Sequence, residues 1–526
     1  MNGGAGPGRR VLLSGSALVA LLGLSSIVML ARGAIPFTSD QAVSLLMAFD
    51  IRDHGKHPVF YWGVQYAGTV ESHLLSLLFR IVPDSVATYR LFLFALVGAT
   101  VLLVAATARR AFGARAGFFA GVYLALGPSF FFFKGLTSDG AYTSLLLCLA
   151  LALYALTRLV DPDLPPQGVL LFSALLGGAL GVGWWIHPLV VVFAPLAGAA
   201  LFTPARRAAR AGPLATMAGA FLVGSAPWWI KNFQTDFLSL RIQEMSPVAR
   251  TDAWARLISL VLDGIPMVLG GRSAWTFAPT VPGGAWLGLG AFVLITGSAV
   301  LGLRRDAPEA GRPLAVFCVL LMLGTPAISL VIAHSNFIWD VRYLFPMYLG
   351  LAPLAGHLLD RMLATRRQAG FIAMAALFLV LGPGSQIRSK RFDDYQTNRI
   401  PETRAFARDL TARGIDGVYA PYCAYRFQYL SGGKPPASPF GKGDGGVVRS
   451  LELLLGEVDR AGRPAFVLER SEADRLRAFL RSRGDGFSTW KVPSLGLEVV
   501  TDVPDRSLQI LRTTRYVPEI PPPLLR

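Results

Sequence analysis

The chain has 526 residues, of which 53% are hydrophobic and 16% charged, and its mean hydropathy is +0.48. That much apolar surface excludes a soluble globule of this length and calls for a polytopic membrane protein. The net charge of +17 would suit nucleic acid, but much of the arginine sits in short loops between apolar runs, where it sets topology, so a nucleic-acid partner is rejected.

A span needs about 20 apolar residues, and the first run, Val11 to Ala31, follows Arg9 and Arg10. It is long for a cleaved leader and is read as a retained helix. Next come Ala87 to Ala106, Ala114 to Phe133 and Ala141 to Leu159, then a run from Gly168 to Thr203 that is too long for one span and splits at Trp184, Trp185, His187 and Pro188. Leu214 to Ile230, Trp286 to Leu303, Leu314 to Ala333, Tyr343 to Leu363 and the short Gly370 to Leu381 complete about eleven spans on the same length rule. Leu257 to Leu269 is apolar but carries Asp263 and Pro266, and is expected to be interfacial or re-entrant. Cys148 and Cys318 fall inside apolar runs and Cys423 stands alone, so no disulfide framework is indicated.

Arg109, Arg110, Arg115, Arg206, Arg207, Arg210, Arg304, Arg305, Arg366 and Arg367 fall on the side of Arg9 and Arg10, which the positive-inside rule makes cytoplasmic. Lys231 and four arginines of the long 231–285 loop oppose this without reversing it. After Pro383 the composition turns polar, with helices expected at Thr403 to Arg413, Leu451 to Asp459 and Ser471 to Arg483, and strands at Gly417 to Ala420 and Ala465 to Leu468. Ser471 and Asp474 form a capping-box-like start for the third helix, and Gly484 a stop. The proline- and glycine-rich Ser431 to Gly446 reads as a flexible loop. The expected fold is therefore a polytopic α-helical membrane domain over residues 1–382 with a large first outer loop, 32–86, followed by an extracytoplasmic α/β domain over 383–526.

The first outer loop gathers Asp40, Asp50, Asp53, His54, His57, Glu71 and His73 among Tyr61, Trp62 and Tyr66. Ionisable groups at a membrane face are costly unless solvated, paired or used, which makes this loop the candidate active site. Asp40 suits a general base for an attacking hydroxyl. Thr38, Ser39 and Asp40 also precede an apolar run, so a helix cap is the competing reading. Asp50, Asp53, His54 and His57 have a spacing that could ligate metal on a helix, but Gly55 and Pro58 point to a turn. Asp161 and Asp163 form a DxD on the cytoplasmic side, away from the other candidates. Arg342 and Tyr343 stand beside Asp340 at an outer span end, where a guanidinium fork suits phosphate or anchors the interface. Lys134, Asp139, His187 and Lys231 occupy other outer span ends. No Walker A, GxSxG or strand-borne GxGxxG pattern is present.

The acidic residue at the start of the first outer loop, then YWGVQYAGTVES, GVGWWIHPLV, APWWIKNF and DVRYLFPMYLGLAPLAG, resembles the bacterial GT-C membrane glycosyltransferases, close to the protein mannosyltransferase-like group. The resemblance implies a polyprenyl-phosphate sugar donor, a protein, lipid or glycan acceptor, a bacterial inner-membrane location and a catalytic aspartate, which is Asp40 here. It implies substrate contacts among Tyr61, Gln65, Tyr66, Asp139, His187, Lys231, Arg342 and Tyr343. Gln41 follows Asp40 where the family commonly has glutamate, and Glu71 is the second carboxylate that could substitute. Transfer would invert the sugar, and arginine could offset the leaving phosphate's charge, so no metal or cofactor is expected. A transporter or lipid flippase is the alternative, against which the chain lacks paired broken spans and strongly ionisable span centres. A non-catalytic scaffold would leave the loop unexplained.

Overall fold

The computed structural model describes residues 7–62, 64–138, 141–193, 211–240, 251–274, 276–305, 312–333, 337, 341–365, 367–389, 399–421, 424–440, 442–443, 446–447 and 457–518. Helices α1 (Pro7–Ala31), α2 (Ser39–His54), α3 (Val70–Leu78), α4 (Val86–Phe112), α5 (Ala114–Ala125), α6 (Ser129–Thr137), α7 (Tyr142–Leu159) and α8 (Pro166–Ile186) come first, with a hairpin of β1 (Phe60–Tyr61) and β2 (Val64–Gly68) between α2 and α3. Then follow α9 (Ala211–Gln234), α10 (Ala253–Ser259), a π-turn at Leu260–Gly264, α11 (Ile265–Val268), α12 (Gly284–Arg305), α13 (Arg312–Ile332), α14 (Tyr348–Ala364), α15 (Gln368–Leu381) and α16 (Pro383–Arg388).

Among the described residues seven helices are long and apolar enough to cross a membrane, or eight if α5 and α6, bent by 72° to each other, count as one broken span. The expected eleven are therefore not reached. Helix α9 has the length, but its Gly, Ser, Pro and Trp content dilutes its hydropathy. The run beginning at Tyr343 opens as a 3-10 turn, Val341–Met347, which leaves α14 only 17 residues. The second half of the Gly168 to Thr203 run passes outside the described residues after Phe193. Leu257 to Leu269 lies in a continuous helical stretch, α10 passing through the π-turn at Leu260–Gly264 into α11, which is too short to count among the candidate spans.

Close helix contact in the bundle uses small residues. A Cβ added at Gly177 of α8 would lie 2.0 Å from the Met217 carbonyl oxygen of α9, so the two backbones touch where a side chain would hold them apart. The 32–86 segment is almost wholly structured. Its α3 buries Glu71, Ser72, Leu75 and Ser76 and leaves Leu74, Leu77 and the following Ile81 exposed, the pattern of a helix lying in an interface.

The C-terminal part holds α17 (Ile400–Ala412), β3 (Gly417–Ala420), α18 (Ala424–Ser431), β4 (Ala437–Pro439), the short β5 (Lys442–Gly443) and β6 (Gly446–Val447), β7 (Pro464–Glu469), α19 (Arg470–Ser482), β8 (Ser488–Val492), β9 (Leu497–Thr501) and α20 (Asp505–Thr514). Five strands form one sheet in the order β4-β3-β7-β9-β8, with β3 parallel to both neighbours and β9 antiparallel to both. The central strands β3, β7 and β9 are buried almost throughout, whereas edge strand β8 is largely exposed up to Val492. The expected Ser431 to Gly446 loop is corrected: Ala437–Pro439 is the β4 edge of this sheet, recruited by backbone pairing to β3. The capping box expected at Ser471 is also absent. Helix α19 starts one residue earlier behind Glu469, which makes no side-chain cap.

The sheet region docks on the 32–86 segment through α18. Tyr429 stacks on Phe49 with ring centroids 5.8 Å apart and packs on Phe37 at 5.6 Å. Tyr425 joins the patch of Val43, Met47, Tyr61 and Ala67.

Candidate functional site

Helix α2 begins with a complete capping box: the Gln41 amide N–H donates to Thr38 Oγ1 at 3.3 Å, and the Thr38 N–H donates to Gln41 Oε1 at 2.8 Å. The cap is thus Thr38, and the reading of Asp40 as the cap is corrected. Half-buried Asp40 sits in the first turn, where the helix dipole favours a negative charge. Tyr61 hydroxyl donates to the Asp40 carbonyl, tying the β-hairpin to this turn. Gln41 also spends its side-chain N–H on the Leu136 carbonyl at 3.3 Å, which brings the start of α2 against the end of α6. The amide at position 41 therefore does work a carboxylate could not.

Glu71 is 2% exposed and its carboxylate accepts from three hydroxyls: Tyr89 at 2.6 Å, Ser138 at 2.7 Å and Ser144 at 3.0 Å. Buried carboxylates are tolerated only when so satisfied. These bonds join α3, α4, α7 and the turn after α6, where Ser138 and Ala141 both take left-handed backbone angles (φ 50° and 64°).

A second cluster lies where α6, α7 and α8 meet the 3-10 turn at Val341–Met347. Lys134, 4% exposed, sets its ammonium 4.8 Å from the centre of the Tyr142 ring. The Tyr142 hydroxyl is 3.4 Å from His187 Nε2, and Leu189 N–H donates to His187 Nδ1 at 3.0 Å. The accepting Nδ1 places the ring proton on Nε2, so the imidazole donates to Tyr142. Tyr66 of β2 packs edge-on against the same imidazole at 5.6 Å. His187 lies one residue past the end of α8, and burial, reinforced by the charges of Arg342 and Lys134, lowers its pKa to about 3. The imidazole is therefore neutral, and the charge of the cluster belongs to Lys134 and Arg342. The close seat of the hairpin depends on Gly68, where a Cβ would fall 2.1 Å from the Trp185 carbonyl oxygen. Trp185 Nε1 in turn donates to the Val59 carbonyl at 2.9 Å.

The structure thus brings together Tyr61 with Asp40, and Tyr66 and Arg342 with His187. Tyr343 is buried beside Arg342, whose guanidinium lies 5.3 Å from its ring. Lys231 is not joined to them: it is half-buried near the end of α9, and among the described residues its ammonium has no ion-pair or hydrogen-bond partner. Asp139, Asp340, Cys423 and the Gln65 side chain lie outside the described residues. The segment read as a turn at Asp50 to His57 is helical through His54, and Gly55 closes α2 in the left-handed region at φ 64°. Asp50 there bonds His54 at 3.0 Å and Lys56 at 3.2 Å, while Asp53 pairs with Arg52 at 2.6 Å. No three His, Cys, Asp or Glu side chains among the described residues converge as metal ligands. Asp161 of the DxD pairs with Arg110 at 2.6 Å at the far end of the bundle. Sequence reasoning missed Tyr142, Tyr89, Ser138 and Ser144, because a hydroxyl in or beside an apolar run carries no signal until the group it bonds, Glu71 or His187, is seen against it.

Residues 68–230 match the dolichyl-phosphate-mannose-protein mannosyltransferase family. No curated protein matches the chain in sequence. Among solved structures, ArnT from Cupriavidus metallidurans in the apo state is similar with a TM-score of 0.64 and 14% identity, over 94% of this chain and 98% of that one. The chain has the same fold as ArnT. The same ArnT bound to undecaprenyl phosphate gives a TM-score of 0.62 at 14% identity, over 93% of this chain and 98% of that one. The segment that matches the mannosyltransferase family runs from the end of β2 into α9, and so includes Glu71, Lys134, Tyr142 and His187.

Proposed function

We propose that this chain is a membrane glycosyltransferase that moves a sugar, read as a hexose, from a polyprenyl-phosphate donor to a protein, lipid or glycan acceptor. The observation that carries the reading is the bond from Gln41, the residue after Asp40, to the Leu136 carbonyl of α6, the helix that also carries Lys134, with His187 and Arg342 close to that lysine. The ArnT fold likeness and its undecaprenyl phosphate complex support a lipid-phosphate donor.

In this mechanism Lys134 and Arg342 offset the charge of the donor phosphate, while neutral His187 holds Tyr142 beneath the Lys134 ammonium. Asp40 takes the proton of the acceptor hydroxyl as its oxygen bonds to the anomeric carbon. The anomeric carbon's bond to the phosphate oxygen breaks, and the electron pair leaves with polyprenyl phosphate. Attack opposite the leaving group inverts the anomeric centre. Glu71 is assigned to positioning, because its carboxylate accepts from Tyr89 of α4, Ser138 in the turn before α7 and Ser144 of α7, and so ties these elements to α3. Tyr61, Gln65, Tyr66, Asp139 and Tyr343 are assigned to the walls of the substrate site, and Lys231 to a peripheral contact. The one-sided arginines support a cytoplasmic N-terminus, with the site and the 383–526 domain docked beside it on the outer face, and the resemblance to bacterial enzymes supports an inner-membrane location.

Purified protein incubated with a panel of radiolabelled polyprenyl-phosphate sugars and membrane acceptors tests this reading. Labelled product with an inverted linkage is expected from at least one donor. Absence of product from every donor, with the protein folded, would return the transporter reading.

A further inference from the structure

At the end of the bundle away from α2, a cavity of about 370 Å³ opens between α12 and α14. Its polar walls are Ser298, His357, Arg361, Thr365 and Arg367, and the remainder is aliphatic. None of the described residues lining it is acidic. The nearby Asp360 carboxylate pairs with Arg115 at 2.8 Å and also acts electrostatically on His357. His357 stacks on Phe112 with centroids 4.5 Å apart, and its buried Nδ1 has no hydrogen-bond partner among the described residues. Leu301, 60% exposed, stands at the cavity mouth, so the opening meets the apolar flank of the bundle.

Topology alone accounts for arginines at a helix end, since the positive-inside rule asks only for charge near the membrane. It does not account for two arginines around one cavity with hydroxyls and an imidazole. Guanidinium groups bind phosphate through a planar fork, and half-buried Arg361 is screened less than a fully exposed charge. We propose that this cavity binds a phosphate-ester anion, separate from the candidate transferase site. Its aliphatic walls and apolar mouth favour a lipid headgroup, with the acyl chains along the flank, over a soluble phosphate.

The test uses the full-length protein in detergent, titrated with phosphatidylglycerol or phosphatidylcholine and read by native mass spectrometry. Phosphatidylglycerol should bind more tightly than phosphatidylcholine, by about fivefold for each engaged arginine, since each basic residue near an anionic headgroup contributes on that order. The Arg361→Gln/Arg367→Gln double variant should lose that preference. Arg367 is exposed, so Arg367→Gln should fold, and alone, expected to lose about fivefold, it decides the matter if the double variant misfolds. Millimolar inorganic phosphate that displaces the lipid would assign the cavity to a soluble phosphate, and failure to displace it would assign it to the headgroup. Equal binding of the two lipids by the wild type, or an unchanged preference in the folded variants, overturns the proposal.

Discussion

Asp40 shows how much one neighbour can change what a residue is free to do. Because Thr38 and Gln41 close the capping box, Asp40→Asn should leave the fold and membrane abundance unaltered. Losing a general base costs roughly 10² to 10⁴ in rate, and transfer should fall by about that factor. Activity within about tenfold of wild type would remove Asp40 from the chemistry. His187 makes the opposite case, a titratable group whose charge is not used. Its ordinary pKa of 6.5 is lowered to about 3, first by burial and then by Arg342 and Lys134, so the folded protein favours the neutral ring. The sign follows: this contribution to stability is complete above pH 6.5 and is lost as pH falls from there towards about 3. His187→Asn keeps an acceptor for the Leu189 N–H, and its activity relative to wild type should be the same at about pH 5.5 and about pH 8. A relative activity that changed several-fold between those two values would show that the imidazole titrates in the working range.

At the scale of elements, the start of α2 is held in two directions at once by Gln41, backwards to Thr38 and sideways to the Leu136 carbonyl. A glutamate could keep the first bond and would set a carboxylate oxygen against a carbonyl oxygen in the second. With Gln41 only 1% exposed, Gln41→Glu should destabilise the protein by about 1 to 3 kcal/mol, the usual cost of an unsatisfied buried polar group. Thermal melting in detergent measures it, and an unchanged melting temperature would show that the α2–α6 contact contributes nothing. The capping box was legible in part, since Thr38 lies three residues before Gln41 in the pattern that caps helices. The Leu136 contact was not, because it joins residues 95 positions apart.

For the molecule as a whole, the docking of α18 on α2 puts the C-terminal sheet and the candidate site at the same end of the bundle. The arginine distribution then predicts that both are outside. Alkaline phosphatase fused after Ser385 should be active, and fused after Arg207 inactive. The reverse pattern would invert the topology and place the site in the cytoplasm. That α18 contact also suggests why the chain after Pro383 has apolar aromatics on a short helix: Tyr425 and Tyr429 face the membrane domain instead of the sheet's own core.

Hydropathy by itself determined that this chain is a helical membrane protein, because burying the backbone in lipid demands long apolar helices and their composition is local. It also located most span centres, a strand at Gly417 to Ala420, one at Ala465 to Leu468 that the structure extends to Pro464–Glu469, and the acidic first loop. Span number was less legible, since a run such as the one beginning at Tyr343 can spend its first turns as a 3-10 segment without changing its composition. The candidate site needed the tertiary structure. Glu71 meets Ser144 across 73 positions, and His187 meets Tyr142 across 45. Whether a polar side chain in an apolar run is a proton carrier, an anchor or a spare is set by the partner that satisfies it, and only the folded chain supplies that partner.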